Sequence, residues 1–324
     1  MNATAADERS FGLHGLSLGV QGLENVAAAV AARLARLPAG GPPGSGLRFE
    51  FTADRLPERP AHGRPVYDPP GGEVLYCDDP DVLYIRLGDR MAALCEPAHG
   101  RTRIAVREPR NEDVWTLSHP MFTLPLAELA KRRGLYSLHA AGLALDGRAL
   151  VLPGTSGAGK STLAVALARA GFGFMGDDTL FLALTSDDPG GLRLLAFPDE
   201  VDLTDESAAF FPELSSHLTS PQHDGWKKRQ LQAERLAGAD LVWECAPGAL
   251  VFPRVSGRTA SRLIPMERDA ALLELAPNVL LTEPRSSQAH FDALAALAAA
   301  SDCYRLETGR DLAAAARLLR GLLE

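Results

Sequence analysis

The segment Gly154–Ser161 combines glycines, a lysine and a serine at the spacing G-x-x-x-x-G-K-S. Glycines let the backbone curl so that successive N–H groups point at phosphate oxygens. Lys160 can reach the β- and γ-phosphates of a nucleotide, and the hydroxyl of Ser161 can ligate Mg²⁺. A predicted strand before the loop and a predicted helix after it match the context of a P-loop, so we expect ATP and Mg²⁺ as cofactors. The predicted nucleotide-binding residues are Gly154, Thr155, Ser156, Gly157, Ala158, Gly159, Lys160, Ser161 and Thr162.

Two adjacent carboxylates follow this loop. Asp177 and Asp178 come directly after the predicted strand Phe172–Gly176, which follows the loop helix. Neighbouring residues on an extended segment point to opposite faces, so the two acids are expected to have different tasks. One carboxylate can hold Mg²⁺ and the other can accept the proton of an attacking hydroxyl. The alternative is an Asp-Asp turn with no chemistry.

A histidine precedes the loop on a predicted hairpin. Ser137–Leu145 and Arg148–Pro153 are predicted to pair across an Asp146-Gly147 turn. If Leu145 faces Arg148, the register places His139 opposite Gly154. We therefore expect His139 near the bound phosphates, although a lone histidine is often only structural.

Basic residues in the C-terminal part form a weaker pattern. The triplet Lys227, Lys228 and Arg229 could clamp the γ-phosphate, because the transition state spreads charge over its oxygens. Such a triplet is usually a solvated surface run. Arg254 and Arg258 are further candidates for the clamp.

Two other classes of P-loop protein lack support. A transporter ATPase needs an LSGGQ-like signature and a strand ending in Asp-Glu, whereas Ala249–Phe252 leads into Pro253 and Arg254. A GTPase needs an N-K-x-D segment, which is not present. A kinase remains.

The order histidine, hairpin, P-loop, helix and Asp-Asp over about residues 135–180 resembles HPr serine kinase/phosphorylases. It is still more similar to the kinases related to them that are found beside biosynthetic peptide clusters. The resemblance implies a sheet like that of phosphoenolpyruvate carboxykinase and phosphorylation of a serine on a protein or peptide. It further implies Asp177 as catalytic base with His139 as its partner, Lys160 on the phosphates, and Ser161 and Asp178 as metal ligands. The E-x-R-G segment of bifunctional members is not visible, so we expect little reverse phosphorylase activity.

The predicted fold class is α/β. We expect a smaller N-terminal α/β recognition or packing domain over residues 1–118. A P-loop kinase domain with a mixed sheet, of the HPr kinase/phosphoenolpyruvate carboxykinase type, is expected over 119–324.

Composition limits the partners. The chain has 324 residues and a net charge of −8, which argues against nucleic acid as a partner because phosphate contacts need clustered cations. Neither a signal peptide nor an apolar run of 18 residues is recognised, so no membrane partner is expected. Four dispersed cysteines indicate free thiols in a cytoplasmic protein. The sequence leaves a homo-oligomer open.

Three functions follow. The first is an ATP- and Mg²⁺-dependent kinase of a Ser or Thr hydroxyl on a protein or peptide. The others are a nucleotide-responsive binding module and a kinase of a small hydroxylated metabolite. A closed polar pocket beside Gly154 would favour the metabolite.

Overall fold

The computed structural model describes residues 8–40, 46–185, 191–220, 227–236 and 240–324. The protein is a mixed α/β structure that divides into two compact units. The first unit comprises Met1–Arg133 and Leu280–Ser287, and the second comprises Gly134–Val279 and Gln288–Glu324. This division comes after Arg133 rather than after residue 118, because the helix Pro120–Lys131 groups with the first unit.

The first unit contains one sheet and three helices within the described residues. The sheet has the strand order β1-β2-β3-β8-β7-β6-β5-β4. The segments Glu73–Cys77 and Val82–Leu87 are antiparallel neighbours in this sheet. Its elements are β1 Arg9–Leu13, β2 Leu16–Gly22, α1 Glu24–Arg33, β3 Gly46–Thr52, β4 Arg64–Tyr67, β5 Gly72–Cys77, β6 Val82–Leu87, β7 Met91–Glu96, β8 Arg101–Val106, α2 Asp113–Ser118 and α3 Pro120–Lys131.

The second unit contains a larger mixed sheet and a separate strand pair. The sheet runs β12-β10-β11-β17-β14-β13-β9, with β19 also beside β17 and β18 beside β19. The separate pair is β15 with β16. Its elements are β9 Tyr136–Leu138, β10 Ala140–Leu145, β11 Arg148–Pro153, α4 Lys160–Arg169, β12 Gly173–Gly176, β13 Leu180–Leu184, β14 Leu192–Ala196, β15 Val201–Thr204, α5 Asp205–Ala208, β16 Lys228–Leu231, β17 Glu244–Val255, β18 Arg262–Pro265, α6 Arg268–Leu275, α7 Pro284–Ala300, β19 Asp302–Thr308 and α8 Leu312–Arg320.

Helices cover both faces of the larger sheet. In β11, Leu150 and Leu152 belong to one buried cluster, whereas Ala149 and Val151 belong to another. This alternation is the pleat of a strand that is buried on both sides. The first cluster continues into α4 and α8, and the second into α6 and α7. The strand that leads into the glycine-rich loop is therefore held between two apolar layers.

The hairpin before the loop has the predicted register. β10 and β11 are antiparallel with Leu145 opposite Arg148 and Ala140 opposite Pro153. The first strand is not continuous, however, because β9 pairs with β13 while β10 pairs with β11 and β12. His139 lies between β9 and β10, where the chain passes from one neighbouring strand to two others. Its N–H donates to the carbonyl of Asn278 at 2.9 Å.

Two further predictions concern composition. The four cysteines are all buried free thiols. No helix among the described residues is long and apolar enough to cross a membrane.

We predict that Gly176→Ala destabilises the second unit and displaces Asp177. An added Cβ would lie 2.7 Å from the carbonyl oxygen of Phe197 and 2.8 Å from that of Thr179, both of them backbone atoms. Forcing a methyl group into a packed site typically costs about 1–3 kcal/mol of unfolding free energy. Chemical denaturation measures this loss. Gly321→Ala is the control, since its Cβ would approach no closer than 3.7 Å to a neighbour; equal stability of both variants would contradict the prediction.

Candidate functional site

The glycine-rich loop Gly154–Ser161 joins β11 to α4. Gly154, Gly157 and Gly159 have φ angles of 146°, 84° and 96°. These values lie in the left-handed region, which glycine enters without steric cost and other residues rarely adopt. The loop leads directly into α4, which begins at Lys160. Free N–H groups and the positive end of the helix dipole thus face the loop, and this arrangement suits a phosphate group.

A cavity of about 630 Å³ lies beside the loop; we refer to it as the main cavity. It brings together loop residues 156–162 with three predicted side chains, namely His139, Asp178 and Lys228. Gly154 and Thr155 line a neighbouring groove instead. Asp177 is 3% exposed and lies below the surface of the site.

Lys160 is nearly buried and bonded to its own loop. Its Nζ donates to the carbonyl oxygens of Gly154 at 2.7 Å and Thr155 at 3.3 Å. Burial lowers the pKa of Lys160, and the charges of Asp178 and Asp177 oppose this shift. A cation held among carbonyls at the start of such a loop is positioned for the phosphates that would replace them.

His139 contacts Asp178, so the predicted pairing of His139 with Asp177 is corrected. His139 Nδ1 lies 3.2 Å from Asp178 Oδ1 and 3.0 Å from the Asp178 carbonyl oxygen. His139 Nε2 lies 3.2 Å from Lys160 Nζ. An ammonium group only donates, so Nε2 accepts and Nδ1 carries the proton that Asp178 accepts. The reason for the correction is the turn of the chain after β12, which directs Asp177 inward and Asp178 outward.

Asp177 has a raised pKa. Burial raises the pKa of its carboxyl group to about 7, opposed by the nearby Ser161 hydroxyl and supported by the charges of Asp178 and Asp202. Its Oδ2 accepts a long hydrogen bond, 3.4 Å, from the Asp202 N–H. Its Oδ1 is buried with no hydrogen-bond partner among the described residues.

Asp178 is shifted in the opposite direction. Desolvation by neighbouring groups raises the pKa of Asp178, but the hydrogen bond from His139 and the nearby charge of Lys160 lower it overall. Its side chain is 61% exposed and lines the main cavity. Two adjacent carboxyl groups with opposed pKa shifts can divide the roles of proton carrier and fixed anion.

The predicted basic clamp is mostly directed elsewhere. Lys228 is the member that lines the main cavity, and it lies 3.6 Å from Asp202. Arg229 donates to the Thr219 carbonyl at 2.9 Å. Arg254 is 3.4 Å from Glu274. Lys227 is exposed, and Arg258 lies 3.7 Å from Glu307. Lys228 alone stays in position for a phosphate.

Several cavity residues were missed by the sequence reasoning. Asp202 lies on β15, and burial raises its pKa to about 6, opposed by Lys228. Ser207 was also missed, and its hydroxyl accepts a 2.8 Å hydrogen bond from the hydroxyl of Thr162, which was a predicted nucleotide-binding residue. The available signal was the alternation of β15, where Val201 and Leu203 are buried while Asp202 and Thr204 face the cavity. A second group, from Val255 and residues 308–312, comes from strand ends that carry no motif.

The residues beside the loop fit a magnesium ion. Ser161 supplies a hydroxyl and Asp178 supplies an exposed carboxylate, and both side chains line the main cavity. Among the described residues there is no cluster of three or more His, Cys, Asp or Glu side chains able to hold a metal. Mg²⁺ commonly uses one or two carboxylates together with waters and substrate phosphates, so this sparse set is sufficient. Ser161 and Asp178 are the ligands that the sequence predicted; the Ser161 hydroxyl also lowers the pKa of Asp177.

Comparisons with known proteins give a distant structural similarity. No protein-family model matches the chain, and no curated protein matches it. The solved structure of the HPr(Ser) kinase/phosphatase from Coxiella burnetii aligns with a TM-score of 0.31 at 12% sequence identity. The alignment covers 57% of this chain and 94% of that chain.

We predict that Asp177 makes stability fall as pH rises from about 4 to about 7. The folded pKa lies above the ordinary value of 3.8, so below pH 4 the group is protonated in both states and has no effect. Above pH 7 the folded protein must hold a buried carboxylate, which costs on the order of 4 kcal/mol. Asp177→Asn removes this cost, so its stability advantage over the parent protein grows across that range and is constant above it.

Urea denaturation at a series of pH values, without nucleotide, measures the difference. Asp302→Asn is the control, because Asp302 is exposed. A constant difference between Asp177→Asn and the parent protein at all pH values would contradict the prediction. In both proteins Asp202 also makes stability fall as pH rises, by a smaller amount, since its pKa is also raised.

Proposed function

We propose that this protein is an ATP- and Mg²⁺-dependent phosphotransferase that moves the γ-phosphate of ATP to a Ser or Thr hydroxyl of a protein or peptide. The observation that carries this proposal is the convergence of Lys160, His139 and Asp178 on one cavity beside the glycine-rich loop. A cation for phosphates and groups that handle protons thus lie within hydrogen-bonding distance of one another. A nucleotide-responsive binding module would need the P-loop and a metal ion, but it would have no use for a carboxylate that accepts the proton of a hydroxyl group.

The reaction requires one bond to form and one to break. The acceptor hydroxyl oxygen attacks the γ-phosphorus, the bond from that phosphorus to the β–γ bridging oxygen breaks, and ADP leaves. The hydroxyl proton passes to a carboxylate. We assign this step to Asp177, because a general base is most effective when its pKa lies near the working pH, and burial raises the pKa of Asp177 to about 7.

The remaining side chains bind and orient. Lys160 exchanges its carbonyl partners for the β- and γ-phosphate oxygens, and backbone N–H groups of residues 156–161 surround the phosphates. His139 keeps Asp178 ionised and keeps the Lys160 ammonium group near the γ-phosphate. Mg²⁺, held by Ser161 and a neighbouring carboxylate, supplies charge neutralisation when bound. Lys228 adds a second cation to the cavity.

We predict that Lys160→Ala abolishes phosphoryl transfer in a folded protein. The variant lacks the cation that stabilises charge on the γ-phosphoryl group, and loss of such a group costs on the order of 10²–10³ in kcat or more. Transfer of label from γ-labelled ATP to a serine peptide pool measures the effect. Arg193→Ala removes an exposed cation on β14 and serves as the control. Normal turnover by Lys160→Ala would refute the proposed function.

We predict that Asp177→Asn binds ATP normally but transfers slowly, because loss of a general base typically costs on the order of 10²–10⁴ in rate. In the parent protein the single-turnover rate should rise with pH up to about 7, where Asp177 loses its proton, and then level off. Asp177→Asn should lose this dependence. Rapid-quench measurements with bound ATP at several pH values test both points.

Comparison of Asp178→Asn with Asp177→Asn identifies which of the two carboxylates is the general base. His139→Ala and Asp178→Asn should have non-additive effects, because their side chains are in contact. Asp177→Asn should combine with His139→Ala more nearly additively. Should Asp178→Asn rather than Asp177→Asn remove the pH dependence, the base is Asp178 and the assignment above is wrong.

A further inference from the structure

A second groove, of about 600 Å³, adjoins the main cavity along the glycine-rich loop. We call it the second groove; it is lined by residues 153–158, the end of β17 around Val255, and α6 with the turn after it up to Asn278. Ser156, Gly157, Ala158 and Val255 line both spaces. The loop that would hold the phosphates thus forms the border between the two spaces.

The second groove lies at the γ-phosphate end of the loop. Lys160 Nζ, which marks the position of the β- and γ-phosphates, bonds to the carbonyls of Gly154 and Thr155, and both of these residues line the groove. On the opposite side, Asn278 accepts the backbone hydrogen bond of His139, whose side chain contacts Asp178. A hydroxyl group at the inner end of the groove would therefore be near the γ-phosphate, on the side of the loop where Asn278 contacts His139.

The outer part of the groove is apolar and open. Leu273 is 74% exposed and Val255 is 67% exposed, and the exposed ring of Pro277 lies in the same lining. The charged lining residues Arg254 and Glu274 are 3.4 Å apart and so compensate each other. A closed polar pocket would suit a small hydroxylated metabolite, whereas an open groove with exposed aliphatic side chains suits a polypeptide segment with an apolar side chain.

We infer that the second groove binds the acceptor polypeptide, and that Leu273 and Val255 contact an apolar side chain close in sequence to the phosphorylated Ser or Thr. This inference depends on the proposed function, since it gives that reaction its substrate class. α6 directs Leu273 into the groove while Ala271 and Leu275 anchor the helix in the core. Leu273 is therefore a specificity-determining residue that contributes no packing to the fold.

A positional library of serine-containing peptides tests the inference with γ-labelled ATP. The parent protein should prefer Leu, Ile, Val, Met or Phe at one fixed position beside the serine. Leu273→Ala should raise KM for the preferred peptide about tenfold, as expected when the contact of one aliphatic side chain is lost. Leu273→Glu should shift the preference at that position to Lys or Arg, and Leu273→Lys should shift it to Asp or Glu.

Measurement of ATP binding helps to distinguish failure of the proposed function from failure of the peptide-groove inference. Leu273 lies outside the main cavity, so its variants should bind ATP with the parent affinity; Leu184→Glu, on an exposed position of β13, is the matched control. If ATP does not bind the parent protein, the proposed function fails. If ATP binds but no peptide is labelled, the proposed function fails as well. If peptides are labelled with the same position preference in the parent and all Leu273 variants, the peptide groove is wrong while the proposed function stands.

Discussion

The buried ammonium group of Lys160 is the charge around which the site is arranged. Removing a cation from water is costly unless several acceptors surround it. Here the acceptors are two carbonyls of its own loop and the Nε2 atom of His139. The loop must curl back to present those carbonyls, and glycine at the positive-φ positions permits that path. The shape of the loop and the position of the cation thus determine each other.

The same charge explains the opposed behaviour of the two carboxylates. Asp178 reaches the charged network through His139 and stays ionised, whereas Asp177 is directed into the interior and meets little compensation. Asp202 adds a third acid nearby, so removing a proton from Asp177 also means placing it next to other negative charges. Lys228 reduces this repulsion only in part, because it lies next to Asp202.

Local patterns predicted the elements that carry the site, and tertiary packing decided the rest. The hairpin register followed from the two-residue Asp146-Gly147 turn alone, since a turn of fixed length sets every pair above it. The break at His139 did not follow, because it arises where β9 and β10 join different neighbours, and Asn278, which holds His139, is far away in the sequence. The same limit applies to Asp202 and Val255, whose places in the cavity depend on strands brought together over long sequence distances. Alternation within Phe172–Gly176 predicted that the two aspartates would differ, but not which of them meets His139.

The hairpin of β10 and β11 bears on how the proposed phosphoryl transfer could be specific for its acceptor. Because β11 leads into the loop and β10 leads away from His139, the phosphate-binding loop and His139 are tied to one antiparallel pair that is buried on both faces. The two aspartates follow β12, which pairs with β10 in the same sheet. Their spacing is thereby fixed by the core rather than by mobile loops, as a near-attack geometry requires. The second groove, in contrast, takes its apolar contacts from the exposed side of α6 and the last residues of β17. Under the proposed function, substitutions there would change the acceptor without altering the core, so a single frame of this kind would serve different polypeptide substrates.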